Sequence, residues 1–299
     1  MAKERPYKTY SEYLRERFPG QHLQKISVDA GFSCPNRDGS KGEGGCSFCN
    51  PEAFAPGYCR QVKGIAEQID AGKAFFSRKT NGETRYLVYF QSYSGTYAPV
   101  EVLRERYAQA LAADGVVGLI VGTRPDCLSE EVLDLLSEVA RERFVMLEVG
   151  VESCYDRTLS QVGRGHSFDC AKQAILAASE RGIPVGVHLI LGLPGETQEE
   201  MLQEAEILSA LPIDVLKLHQ LQILRGTRMA QAWETDPSQF HLFTAEEYAH
   251  LVAQFVRRLR PGIALDRFAA EAPSRLLLAP RWGLKPQEVQ QMVEGLLCI

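Results

Sequence analysis

Residues 185–224 read VGVHLILGLPGETQEEMLQEAEILSALPIDVLKLHQLQIL. Segments 185–191 and 215–224 are apolar, β-rich runs, and between them 199–211 places its apolar side chains at helical spacing. Thr197 and Glu200 form the pair of a capping box at the start of that helix, satisfying two otherwise free N–H groups of its first turn. A strand, a helix and a strand in this order imply two parallel strands joined by a right-handed crossover.

The same rhythm runs through the chain. Further strand candidates are 24–30, 85–92, 116–123 and 144–152, with helical spacing over 65–78, 100–113, 130–142 and 169–181. Six strands alternating with five helices predict an α/β fold, and periodicity leaves open whether the sheet is a barrel or doubly wound. After about Ala230 the pattern changes to a capping-box pair, Thr244 and Glu247, a helix to about Arg260, a short apolar run over 263–268 and a last helix from Pro286. We therefore expect a core of residues 1–231 and an extension, 232–299, packed on it.

With 299 residues, 45% hydrophobic and 24% charged, the composition excludes a disordered, collagenous or small disulfide-stapled chain. The start, MAKERPYKTYSEYLRERF, is charged where a signal peptide is apolar, and no stretch approaches the ~18 apolar residues of a membrane helix. A cytoplasmic protein with no membrane partner is the expectation. The net charge of −5 argues against nucleic-acid binding through overall charge, but 257–285 carries seven Lys or Arg against two acids. That segment is read either as solvated helix faces or as a rim for a polyanion.

Residues 31–58 form a Pro- and Gly-rich loop after the first strand, and loops this long in compact domains are usually functional. It contains Cys34, Cys46 and Cys49, spaced C-x11-C-x2-C, with Phe48 before the last. In a reducing compartment clustered thiols point to metal or redox chemistry. Cys59 leaves two readings open: four thiolates close a tetrahedral zinc site, whereas three leave one iron of a [4Fe-4S] cluster free. Cys127, Cys154, Cys170 and Cys298 are read as structural thiols.

These residues, together with YFQSYSGTYAP (89–99), GTRPDCLS (122–129), LEVGVESCYDRTL (147–159), GRGH (163–166), HLILGLPGET (188–197), LKLHQLQILRGT (216–227) and APRWGLK (279–285), resemble the radical S-adenosylmethionine (SAM) superfamily. Within it the resemblance is to the YhcC and YtqA group, itself similar to the radical SAM domain of the elongator acetyltransferase subunit, and it runs almost end to end. The long first cysteine spacing departs from the commonest superfamily motif, which has three residues there, but suits this group.

The resemblance implies a partial (β/α)6, TIM-like barrel of parallel strands with a C-terminal, mostly helical extension. It implies a [4Fe-4S] cluster on Cys34, Cys46 and Cys49 whose open iron chelates SAM. Reduction by a donor such as flavodoxin or ferredoxin then releases a 5′-deoxyadenosyl radical. Phe48 is expected against the adenine, Gln91 and Ser92 where relatives receive the SAM amino group, and Arg164 on the SAM carboxylate, to which a guanidinium offers two parallel donors. Thr123 closes the third strand. Glu152, with Ser153 beside it, is expected at the ribose hydroxyls, His188 near the nucleoside, and backbone groups of Leu221 and Gln222 at the adenine edge.

Glu148 lies four residues before Glu152, so the two share a face of their strand. Lys217 and His219 likewise share a face, and on the inside of a barrel they would meet substrate. With Tyr93, they are the candidate catalytic residues. By resemblance the substrate is tRNA, at the carbon-5 side chain of a wobble uridine. The alternatives are a small metabolite or peptide, and a zinc-stabilised binding protein without catalysis.

Overall fold

The computed structural model describes residues 5–53, 56–60, 64–77 and 84–298. The expected helix end at Arg78 and the last residue, Ile299, lie outside them. The chain opens with a two-residue strand β1 (Lys8–Thr9) and helix α1 (Tyr10–Arg17), which Thr9 and Glu12 cap reciprocally. There follow β2 (His22–Val28), α2 (Ile65–Ser77), β3 (Thr84–Phe90), α3 (Val100–Leu111), β4 (Val116–Thr123), α4 (Glu130–Ala140) and β5 (Phe144–Glu152). A short helix α5 (Asp156–Gln161) precedes α6 (Phe168–Glu180), β6 (Val185–Leu191), α7 (Gln198–Ser209) and β7 (Val215–Gln220). The remainder is β8 (Ile223–Leu224), α8 (Arg228–Thr235), α9 (Ala245–Arg258), β9 (Ala264–Arg267), β10 (Leu277–Ala279) and α10 (Pro286–Leu297).

Eight strands form one all-parallel sheet in the order β1-β9-β7-β6-β5-β4-β3-β2. It is curled into a partial barrel. Lys25 Nζ on β2 lies 3.1 Å from Asp266 Oδ2 on β9, six strand steps away. In a flat sheet that separation would be roughly 29 Å at about 4.8 Å per strand.

Alternation along each strand sorts the side chains between the faces. On β5, Val145, Leu147, Val149 and Val151 enter the main core under the surrounding helices, while Met146, Glu148, Gly150 and Glu152 face the barrel interior. Tyr10 and Tyr13 of α1 plug one end of that interior against Leu87, Ile120 and Met146. The other end, at the strand C-termini, stays open.

Two features differ from expectation. The run 215–224 is two strands, because the backbone leaves the sheet at Leu221 and β8 pairs antiparallel with β10. The extension carries α9 and α10 as expected, and its short apolar run is β9, which joins the main sheet between β7 and β1. Helix α5 was absent from the sequence reading, being too short for its periodicity to register. Both anticipated capping boxes form, at α7 and α9.

Candidate active site

The C-terminal ends of the strands and the loop 31–58 enclose a cavity of about 650 Å³, the size range of pockets for drug-sized ligands. Cys34, Cys46 and Cys49 all line it, with Phe48. The loop is stitched to its surroundings by backbone bonds from Ser47 N–H to the Val162 carbonyl, 2.9 Å, and from Met229 N–H to the Ser47 carbonyl, 2.9 Å. Asn36, buried in the loop, donates to the carbonyls of Gly163 (2.8 Å) and Arg164 (3.0 Å). Gly165, at φ +74°, leaves no room for a Cβ, which would stand 2.8 Å from Asn36 Oδ1. The GRGH turn is thereby clamped to the cysteine loop.

Arg164 follows from that clamp. Its guanidinium is buried, donates to the Gly150 carbonyl at 2.7 Å and lies 3.3 Å from Glu152 Oε1 and 3.6 Å from Cys46 Sγ. A β-bulge between Gly150 and Glu152 re-aims the strand end, and Glu152 takes a left-handed φ of 67°. Tyr93, at φ 60°, is the other non-glycine residue of this kind among those described. Both line the cavity, where strained backbone commonly marks function.

Gln91, Ser92, Thr123, His188, Leu221 and Gln222 also line it. Thr123 shares its hydroxyl with Ser94 (2.7 Å) and Thr96 (2.6 Å). The Leu221 N–H is already bonded to the Leu191 carbonyl at 2.9 Å, leaving its carbonyl rather than its N–H for a ligand. Phe48 packs against the apolar group containing Ile190 and Leu221.

At the floor, Glu148 is buried with its carboxylate 2.6 Å from Lys217 Nζ and 2.7 Å from His188 Nε2. Burial opposes its charge, but the ammonium groups of Lys217 and Lys25 and the His188 ring outweigh burial and hold its pKa well below the usual carboxylate range. Asp266 is held at about 2 against burial by the same two lysines. Tyr89 lies between them, its ring centroid 5.1 Å from Lys25 Nζ and 5.0 Å from Lys217 Nζ. Burial and the neighbouring cations lower the pKa of His188 and, more strongly, of His219, so both rings are neutral at neutral pH.

Two nominated residues stand elsewhere. Ser153 turns away and donates to Glu196 Oε1 at 2.5 Å, because the bulge that aims Glu152 inward rotates its successor outward. Lys217 faces the interior but does not line the cavity, since Glu148 covers its ammonium. His219 does line it. Arg124 also lines the cavity, as does Arg267, which charge along the chain groups with the basic segment 257–285. Arg124 is buried beside Asp126 with Nη1 unpartnered, and its place in GTRPDCLS was the available signal.

Cys59 is separate from the other thiols. It is buried, its Sγ lies 3.3 Å from the Ser27 carbonyl, and it does not line the cavity. Among the described residues no three His, Cys, Asp or Glu side chains are grouped to hold one metal ion, and Cys59 stands off the cavity that the other three thiols line. The thiolates of an iron–sulfur cubane each bind a different iron and share no common centre. Three soft donors facing a cavity, with an arginine beside one of them, fit such a cluster.

A family model of the radical SAM superfamily matches residues 37–208, and one of the radical SAM C-terminal domain matches 213–297. The chain belongs to the radical SAM superfamily, whose members are enzymes that use a [4Fe-4S] cluster and SAM and require a reductant. It is 43% identical over 264 residues to protein YhcC of Escherichia coli (strain K12), covering 88% of this chain and 83% of YhcC. A tRNA uridine(34) acetyltransferase of Methanocaldococcus infernus is 24% identical over 191 residues, 61% of this chain and 34% of that one. The fold matches that of the M. infernus Elp3 with an N-terminal deletion at a TM-score of 0.69 and 16% identity, over 92% of this chain and 63% of that one.

Among the described residues no helix is long and apolar enough to cross a membrane. The cations of 257–285 have separate partners. Arg258 pairs with Glu199 at 2.7 Å, Arg275 with Glu52 at 3.0 Å, Arg260 is spent on carbonyls of Ser209 and Ile213, and Arg267 lies inside the barrel.

Proposed function

We propose that this enzyme modifies the carbon-5 side chain of a wobble uridine in tRNA. The observation that carries the reading is the likeness, over 61% of this chain, to a tRNA uridine(34) acetyltransferase. The cluster, when bound, supplies the electron that cleaves SAM to methionine and a 5′-deoxyadenosyl radical, a reagent suited to unactivated C–H bonds.

The protein's own residues then bind, orient and exclude water. Cys34, Cys46 and Cys49 hold the cluster and leave one iron open. Arg164 takes the SAM carboxylate, Gln91 and Ser92 its amino group, Glu152 the ribose hydroxyls, and Phe48 the adenine face. His188, Thr123, Leu221 and Gln222 complete that wall. His219 and Tyr93 face the substrate, while Lys217 acts through Glu148 as a positioning residue. A flavodoxin or ferredoxin is the proposed donor.

A second reading, a small metabolite or peptide in the same cavity, is favoured by the pairing of two arginines of the basic segment with acids of this chain. Mass spectrometry of tRNA nucleosides from a strain lacking the gene separates the two. Accumulation of a wobble uridine with an unprocessed side chain supports the tRNA reading; an unchanged nucleoside profile rejects it.

A further inference from the structure

Beneath the cavity, two carboxylates, Glu148 and Asp266, meet Lys25 and Lys217, burial lowering the pKa of Lys217, and Arg267 lies beside them. The carboxylates are taken up by the lysines. Lys217 Nζ is 2.6 Å from Glu148 and 3.3 Å from Asp266, and Lys25 Nζ is 3.1 Å from Asp266 and 3.8 Å from Glu148.

Arg267 is left over. It forms no ion pair with a described carboxylate, its Nη2 lies 2.8 Å from His219 Nε2, and its Nε is buried without a partner. His188 and His219 add no negative charge, their ring centroids being 5.7 Å apart. A guanidinium without an ion pair to a described carboxylate therefore faces the cavity from the β7 and β9 wall. A buried guanidinium N–H without a partner, as at Arg267 Nε, is costly to leave unsatisfied.

We propose that Arg267, with His219 beside it, holds a carboxylate of the substrate. The free Nε and the Nη2 group form one edge of the guanidinium fork, which matches a carboxylate in a bidentate pair. Arg164 stands beside Cys46, whereas Arg267 stands beside His219. Under the wobble-uridine reading, on which this inference rests, the carboxylate belongs to the carbon-5 side chain. A free small acid offers the same chemistry, as does SAM itself.

The test measures binding to the cluster-loaded protein. Its probes are an anticodon stem–loop carrying 5-carboxymethyluridine at the wobble position, the same stem–loop with the neutral 5-carbamoylmethyluridine, acetate, and SAM. The wild-type protein should prefer the acid stem–loop over the amide by about 10-fold or more. R267Q and R267K should lose most of that preference, the lysine lacking the fork, with SAM affinity unchanged in both. Equal binding of acid and amide by the wild-type protein overturns the proposal. So does an R267Q that weakens SAM as much as R164A does, since Arg267 would then hold the cofactor. Should neither stem–loop bind while acetate shifts the histidine ring signals of the wild-type protein and not of R267Q, the carboxylate subsite stands and the RNA reading falls.

Discussion

Lys217 Nζ on β7 and Glu148 Oε2 on β5 lie 2.6 Å apart across the intervening strand β6, both buried inside the barrel. The pair completes a group whose other members come from β2, β6 and β9, so it ties the two flanks of the curled sheet together. Such a group is a weak source of net stability, because desolvation offsets most of the attraction, but removing one member leaves a buried charge without its partner. We expect Lys217→Met to lower the unfolding free energy by about 3–5 kcal/mol, and Lys217→Met with Glu148→Gln to recover part of that loss. Urea unfolding of the two variants checks this. A double variant no more stable than the single would contradict a charge-pair origin.

Cluster ligation predicts a split among the cysteines. Alanine at Cys34, Cys46 or Cys49 should each abolish the bound iron and the brown colour of the anaerobically prepared protein. Alanine at Cys59, whose thiol faces the Ser27 carbonyl away from the cavity, should retain both. Metal analysis decides, and an equal loss of iron from all four variants would remove the three-ligand assignment.

Arg164→Ala should weaken SAM binding by roughly 30- to 150-fold, the equivalent of about 2–3 kcal/mol for one charge-assisted pair, while the cluster still assembles. Equilibrium binding of SAM measures the effect. An unchanged dissociation constant would leave Arg164 as a structural clamp for Gly150 and Glu152 alone.

Glu204 is fully buried, accepts from the Cys154 N–H at 2.7 Å, and has its pKa pushed well above the ordinary carboxylate value by burial and then by Glu196. The unfolded chain therefore loses this proton at a lower pH than the folded one. Between those two pKa values the folded state binds more protons, so stability falls as pH rises through the window. Glu204→Gln should flatten that fall and gain most at the alkaline end, read from urea midpoints across pH. Parallel midpoint curves for the two proteins would show that Glu204 is not the group responsible.

Much of this was legible before any coordinates. The strand runs were found because parallel strands buried on both faces are near-continuously apolar. The cysteine loop stood out because thiols are rare enough for their spacing to carry information. Cys34, Cys46 and Cys49 and most of the proposed cofactor wall do line one cavity. Ser153 turns toward Glu196 because of the bulge at Gly150 and Glu152, which arises from pairing with β6 and which even spacing along a strand does not encode.

The sequence alone determined the order of the six main strand runs and the five helices between them, the two alternating sets of side chains on each strand, and the presence of three thiols in a long loop. These follow from local chemistry: apolar periodicity, capping residues and ligand type. Only the tertiary structure decided that the sheet curls, since curling depends on which distant side chains meet, as Lys25 and Asp266 do. The same closure placed Lys217 and His219 inside rather than outside, set Cys59 apart from the other cysteines, and brought Arg267 from the extension into the cavity. Charge along the chain had grouped Arg267 with a basic rim; its interior position comes from β9 pairing with β7, a contact between residues about fifty positions apart that no local pattern encodes.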